Sequence, residues 1–383
     1  MRKNWLQIAF LGAVSLVLVL GGVWAAAFPR EMNTYENRYA AQMPAFSADA
    51  YGSGAFQDGL EAALADQLPK ASALKKLYHL GTRSYVYGLL SPLSQDNADT
   101  YFDFFGVELT NGDRLVYAPQ KLENVQARLD ARIEQILAAA EDADADFYVY
   151  YIEKDTDLNF ETGQKLGAYE YLAARLDLPT AKFAVDSPAV FYRDFYLTDH
   201  HWNYLGSYRA YEDLTVLLDC GTPLTPTEAV TLDQTITGSK AASIGAHQLQ
   251  ETFTAYRFTF APMTVTLDGQ TATDYGQQEA FLNGQGGMLS YGAFYGSDNG
   301  EVILDTGSGG ETLLILGESY DNAVLKLLAS HFGRTYAVDL RYYEALMGQS
   351  FDLAAYIRDH SIDRVLLMGN IDYFTSDDFA LES

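Results

Sequence analysis

Two strings far apart in the chain combine residue types that can do chemistry together. The first is Thr198-Asp199-His200-His201-Trp202-Asn203 and the second is Gly317-Glu318-Ser319-Tyr320-Asp321-Asn322. A serine hydroxyl is a weak nucleophile until a neighbouring imidazole removes its proton, and that imidazole needs a carboxylate to fix its tautomer. The two strings hold all three groups. Brought together, they make a Ser-His-Asp site for acyl transfer.

Asp199 and His201 are two residues apart, so in an extended segment they share one side. Adjacent residues point apart, so only one of His200 and His201 serves as the base. The plain reading of Ser319 is helix capping, a common role for serine. Asp199, His200 and His201, with His247 or His331 added, also allow a metal reading. No HExxH or CxxC spacing supports it, and neither a metal nor a cofactor is expected.

The elements that must position these groups read as α/β. Thr312-Leu313-Leu314-Ile315-Leu316 is a short apolar run of β-formers directly before Ser319, which places the serine at the carboxyl end of a buried strand and ahead of a helix over 321–332. Backbone N–H groups and the dipole of that helix are expected to hold a developing oxyanion. Further strands are expected at Phe147–Ile152, Thr335–Leu340 and Arg364–Met368. Helices are expected over 120–140, Tyr204–Leu218 and Tyr342–His360. Leu122, Val125, Leu129, Ile133 and Ile136 recur at helical spacing in the first of these. From about 221 to 300 the texture changes to Thr, Gly and Gln with short alternating pieces, and Asp268-Gly269 signals a hairpin. The expected architecture is a parallel sheet flanked by helices, interrupted by a β-rich insertion.

The N-terminus carries an uncharged apolar run from Trp5 to Phe28. It exceeds the roughly 20 residues that cross a bilayer and is long for the roughly 7–15 of a signal-peptide core. Residues 1–28 are therefore expected to be a transmembrane anchor, with a signal cleaved after Ala25-Ala26-Ala27 as the alternative. Residues 29–70 read as a membrane-proximal connector and helix, and 71–383 as the α/β domain. A four-residue tail before the span suits an exported, extracytoplasmic domain.

Composition removes other classes. The net charge is -26, which argues against nucleic acid, whose binding rests on Lys and Arg. It also makes an anionic polymer an awkward partner. Cys220 is the only cysteine, so no internal disulfide forms. The many aromatic residues suit sugar stacking, although core filling is their commoner use.

Asp199-His200-His201-Trp202, followed by Gly317-Glu318-Ser319-Tyr320, Val338-Asp339-Leu340-Arg341-Tyr342-Tyr343 and Gly369-Asn370, resembles the DHHW family. That family is a branch of the SGNH-hydrolase-like proteins that includes the alginate O-acetyltransferases of bacterial envelopes. Glu36-Asn37-Arg38, Pro44 with Phe46, and Asp66-Gln67-Leu68-Pro69 are similar to the family's leader. The resemblance implies Asp199 as orienting acid, His201 as base and Ser319 as nucleophile. It implies Trp202 packed beside His201, Asn370 as an oxyanion donor and Arg341 as a further site residue. Glu318 departs from the family's Gly-Asp-Ser, and its longer side chain must find other partners.

The resulting expectation is a membrane-anchored O-acyl (acetyl) transferase acting on an envelope glycan, with a multipass membrane acyltransferase supplying the acetyl group. A carbohydrate esterase and a non-catalytic glycan-binding scaffold are the alternatives.

Overall fold

The computed structural model describes residues 2–30, 32–33, 38–90, 102–104, 107–110, 114–247 and 249–381. The chain divides into two compact units, 1–100 with 239–248, and 101–238 with 249–383.

In the first unit, Arg2–Ala27 is a helix of 26 residues. Several of its side chains lie outside the described residues. Among those described, no helix is long and apolar enough to cross a membrane, so the expected span is not shown. Helices follow at Ala48–Ser53, Ala55–Gln67 and Ala71–Leu90. Asp66 and Gln67 of the leader string form a buried polar node. Asp66 accepts from Asn33 Nδ2 (3.0 Å) and Ala41 N (2.9 Å) and pairs with Lys75 (3.0 Å), while Gln67 Oε1 accepts from Arg30 N (2.7 Å). A buried carboxylate with this many donors is satisfied, which makes it tolerable inside. The Lys75 pair ties Ala71–Leu90 to Ala55–Gln67 within this unit.

The second unit is built on an eight-stranded sheet. Its spatial order is Gln270–Ala272, Thr264–Leu267, Glu301–Asp305, Arg334–Val338, Thr312–Leu316, Arg364–Gly369, Asp146–Ile152 and Thr180–Phe183. The last five are mutually parallel, and the first three join antiparallel. The sheet is mixed, not wholly parallel. Thr312–Leu316 forms with the bounds read from the sequence because both of its faces are covered. Leu313 and Ile315 enter one core, with Tyr150, Ile152, Leu366 and Met368. Leu314 and Leu316 enter the other, with Val149, Tyr151, Val365 and Leu367. A strand buried on both faces reads as an unbroken apolar run.

Leu122–Asp142 packs Val125, Leu129, Ile133 and Ile136 into the second core. Each such side chain contributes about 1.5–3 kcal/mol relative to exposure.

Two expectations are corrected here. The helix after Ser319 is a single 3-10 turn, Asp321–Ala323, followed by Leu325–Ala329. The expected Tyr342–His360 is two helices, Leu340–Met347 and Leu353–His360, split where Gly348 takes φ 71° and Asp352 caps the second. The 221–300 region contributes two pairings. Glu228–Ile236 and Glu251–Arg257 pair only with each other, but the hairpin turned by Asp268 and Gly269, both at positive φ, extends the main sheet through Glu301–Asp305.

Candidate active site

Ser319 follows the strand Thr312–Leu316, whose neighbours Arg334–Val338 and Arg364–Gly369 lie on its two sides. The chain therefore leaves in one direction and returns in the other, which makes this end of the sheet a topological switch point. Gly317 allows a close turn, since a Cβ there would meet Asp321 Oδ2 at 2.3 Å.

The partner string is a tight hairpin. Phe195 and Trp202 form an antiparallel bridge, and Tyr196 N donates to His201 O at 3.1 Å. Asn203 then caps Tyr204–Leu217 by accepting from Leu205 N and Gly206 N. The loop between is braced by Glu251, whose carboxylate accepts from Leu197 N (2.8 Å), Thr198 N (2.7 Å) and Thr198 Oγ1 (2.6 Å). Gly238 lies so close that a Cβ there would meet Asp199 at 2.4 Å.

The two strings meet. His201 Nε2 lies 2.8 Å from Ser319 Oγ, and His201 Nδ1 lies 2.6 Å from Asp199 Oδ1, which also accepts from the His201 backbone N–H at 3.0 Å. Asp199 and His201 are buried, at 4% and 6% exposure. With the Nδ1 proton directed at Asp199, Nε2 is left to accept the serine proton. Ser319 is not a cap, because its hydroxyl faces an imidazole and the following 3-10 turn has no side-chain cap. His200 Nδ1 is 3.7 Å from Asp199 Oδ1, and its ring sits 3.8 Å from that of His201.

Asp199, His200 and His201 place one candidate ligand atom each within 4.8 Å of the others. Both ring nitrogens of His201 are already engaged by Asp199 and Ser319. Of the further ligands considered, His331 Nε2 meets Tyr211 Oη at 2.6 Å, and His247 belongs to the first unit.

Trp202 does not pack beside the His201 ring. It is fully buried and packs against Phe183 and, edge-on at 5.1 Å, Tyr320. Its place against His201 is taken by Tyr291, whose ring is parallel to the imidazole at 3.8 Å and 4°. The Tyr291 hydroxyl donates to Ser319 O at 3.2 Å. No spacing or motif singled out Tyr291. The only signal was its place in Ser290-Tyr291, where Ser290 caps a short helix by accepting from Ala293 N.

Asn370 caps Ile371–Thr375, and its Nδ2 and backbone N both donate to Glu318 Oε1, at 2.6 and 2.9 Å. These are the partners that the longer Glu318 side chain finds. Burial pushes the Glu318 carboxyl up, opposed by Arg341, the Asn370 backbone bond and Lys154. Arg341 lies in the first turn of Leu340–Met347, not at a strand end. Its backbone N–H and guanidinium donate to Asp339, and Asp298 lies 3.8 Å away. Burial works against the guanidinium charge, but Asp339, Asp298 and Glu318 raise its pKa. Burial likewise lifts Asp321 well above the usual carboxylate range, reinforced by Asp339, Asp298 and Glu318. Ser319, Glu318, Asp321, Asn322, Asp339 and Tyr275 line a narrow cleft.

Solved structures share this fold. PatB1 of Bacillus cereus with a sulfonyl adduct matches with TM-score 0.54 and 18% identity, over 72% of this chain and 97% of that one. A DHHW family protein of Eubacterium siraeum matches with TM-score 0.54 and 17% identity, over 73% and 95%. The fold is shared with both.

The O-acetyltransferase domain of Pseudomonas putida AlgJ matches at TM-score 0.42 and 11% identity, over 71% of this chain and 93% of that one. No family model matches the sequence, and no curated protein matches it. The likeness to the DHHW protein and PatB1 is one of fold, and the chemistry rests on the residues above.

Proposed function

We propose that this protein is an O-acyl, and specifically O-acetyl, transferase of the DHHW type that modifies an envelope or extracellular glycan through Ser319, His201 and Asp199. The observation that carries this reading is the unbroken chain Ser319 Oγ, His201 Nε2, His201 Nδ1, Asp199 Oδ1, with separations of 2.8 and 2.6 Å. A hydroxyl, base and carboxylate in series perform acyl transfer on unrelated folds.

In the proposed reaction Ser319 Oγ attacks the donor carbonyl as its proton passes to His201 Nε2. The imidazolium, held by Asp199, protonates the departing alkoxide and leaves an acetyl ester on Ser319. A sugar hydroxyl then gives its proton to His201 and attacks that ester, and Ser319 regains a proton. Asn370 Nδ2 spends one hydrogen on Glu318, and its second is proposed as an oxyanion donor. Arg341 is proposed to balance the carboxylates near the serine, not to touch substrate. Trp202, enclosed in the core, is proposed as an anchor for the His201 hairpin.

Residues 1–28 are proposed as a single membrane span with the 101–383 region outside the cytoplasm. The uncharged run from Trp5 to Phe28 supports this. A multipass membrane acyltransferase is proposed to supply the acetyl donor.

The test uses the PatB1 precedent of a sulfonyl adduct. The full chain, treated with a sulfonyl fluoride, should gain one sulfonyl mass on Ser319 and lose turnover of an activated acetyl ester. Turnover by Ser319→Ala equal to wild type would sink the reading. Acetylated glycan rather than free acetate as the product distinguishes transfer from hydrolysis.

A further inference from the structure

Among the described residues, Glu228–Ile236 and Glu251–Arg257 pair only with each other. At one end of this ladder Glu251 lies opposite Ile236, and Gly238 follows two residues later. That end meets the hairpin carrying Asp199 and His201, and both residues reach Thr198, the neighbour of Asp199. Glu251 Oε1 accepts from Thr198 N at 2.7 Å and from Thr198 Oγ1 at 2.6 Å, while Oε2 accepts from Leu197 N at 2.8 Å. Thr198 Oγ1 in turn accepts from Gly238 N at 2.9 Å.

Thr198 is buried, and its hydroxyl has one proton to give. It gives that proton to Glu251 and accepts from Gly238, so both of its uses are fixed. Bonds to an ionised acceptor are the stronger kind. Three of them, from two successive residues, hold backbone and side chain together. The next residue is Asp199, whose Oδ1 must stay 2.6 Å from His201 Nδ1.

We propose that Glu251 is a positioning residue: through Thr198 it holds the Asp199 carboxylate against His201 Nδ1. It touches neither substrate nor the reacting atoms. The position requires a carboxylate because only donors converge on it. The amide of Glu251→Gln would set its own N–H groups against one of them and lose at least one bond. The two-stranded ladder thus carries a clamp for the acid of the triad. That the clamped pair drives acyl transfer rests on the function proposed above.

Ester turnover and the histidine NMR spectrum of the full chain in detergent decide it. The chain has six histidines, so isotope-labelled histidine gives few signals, and the one lost in His201→Ala is the Nδ1 proton facing Asp199. Glu251→Gln should lower kcat about tenfold or more with KM within about twofold. It should also move that proton upfield, because the bond to Asp199 lengthens. Thr198→Val removes the hydroxyl at similar volume and should act in the same direction, and Thr198→Ser should recover most of the kcat lost in Thr198→Val. Arg257→Gln, at the far end of the same strand, breaks pairs to Glu228 and Glu279 and should leave kcat and the resonance unchanged. If Glu251→Gln does not fold, the two Thr198 variants decide. Wild-type kcat with an unmoved resonance in Glu251→Gln, no recovery in Thr198→Ser, or an equal loss in Arg257→Gln overturns the proposal. A displaced resonance in Glu251→Gln, in a protein whose ester turnover does not depend on Ser319, would keep Glu251 as the clamp and remove the acyl-transfer reading.

Discussion

The rings of Tyr291 and His201 lie parallel at 3.8 Å, while the Tyr291 hydroxyl donates to the carbonyl of Ser319. One side chain thus holds the plane of the proposed base and the backbone of the proposed nucleophile. Tyr291→Phe keeps the stacked ring and should cost less than about fivefold in kcat/KM, since it removes one hydrogen bond. Tyr291→Leu releases the imidazole and should cost on the order of 10²-fold, because misplacing a catalytic group by about 1 Å is that expensive. Equal losses in the two variants would mean that the hydroxyl, not the ring, positions the site.

Residues that act as one unit lose their effect together. Ser319→Ala, His201→Ala and the double variant should all fall to a common floor, roughly 10⁴-fold below wild type in ester turnover. Asp199→Asn should lie between, down on the order of 10²–10³-fold, because it disturbs the His201 tautomer and leaves the base in place. His200→Ala should remain within about threefold of wild type. Abolished turnover in His200→Ala with activity kept in His201→Ala would reassign the base.

Gly238 and Asp199 are too close for a side chain between them. Gly238→Ala should therefore push Asp199 off the imidazole and cost about tenfold or more in turnover, with the melting temperature lowered by several degrees. Wild-type turnover in this variant would show that the hairpin yields without moving Asp199.

Glu318 reaches Asn370 with two hydrogen bonds. Glu318→Asp restores the residue common in the resembling family but shortens that reach. It should destabilise the fold by about 1–3 kcal/mol, since buried donors lose their partner. Thermal or chemical unfolding measures this, and an unchanged midpoint would count against the role given to Glu318.

Asp157 is buried against Tyr151 Oη at 2.6 Å, and burial pushes its carboxyl up from 3.8 to about 7. The folded state keeps this proton where the unfolded chain has lost it. Its contribution to stability is therefore complete below about pH 4 and is lost as pH rises towards about 7. Asp157→Asn does not titrate, so the stability of wild type relative to the variant should fall across that window and level off above it. Melting curves of both proteins from pH 4 to 8 provide the check. A difference that stays constant would place the Asp157 proton elsewhere.

How much of this was legible in the sequence depended on how local the signal was. Thr312–Leu316 could be read because burial on two faces writes an unbroken apolar run. Tyr204–Leu217 could be read because Asn203 caps it within the motif itself. The strand Glu301–Asp305 was missed, as it follows a stretch of glycine and polar residues and is defined by antiparallel pairing with distant partners. The break in Tyr342–His360 was signalled by Gly348 and Asp352, but the apolar periodicity on either side outweighed them. Within the site, Asp199, His201 and Ser319 stood out because rare residue types sat at meaningful spacing. Tyr291 is one of 28 tyrosines, and only tertiary packing distinguishes it. Trp202 was misplaced because neighbours on extended chain face opposite ways, so the residue after an inward-facing His201 faces the core instead.

His201 and Ser319 are 118 residues apart along the chain, and two antiparallel pairings, the Glu228–Ile236 sheet and the Thr264–Leu267 hairpin, lie between them. Closing so long a loop is slow, and no local segment can bring the hydroxyl to the imidazole early. The nascent or unfolded chain thus carries an ordinary serine and an ordinary histidine. Reactivity toward an acyl donor appears only when the whole sheet is assembled, which keeps the proposed chemistry latent until the domain has matured.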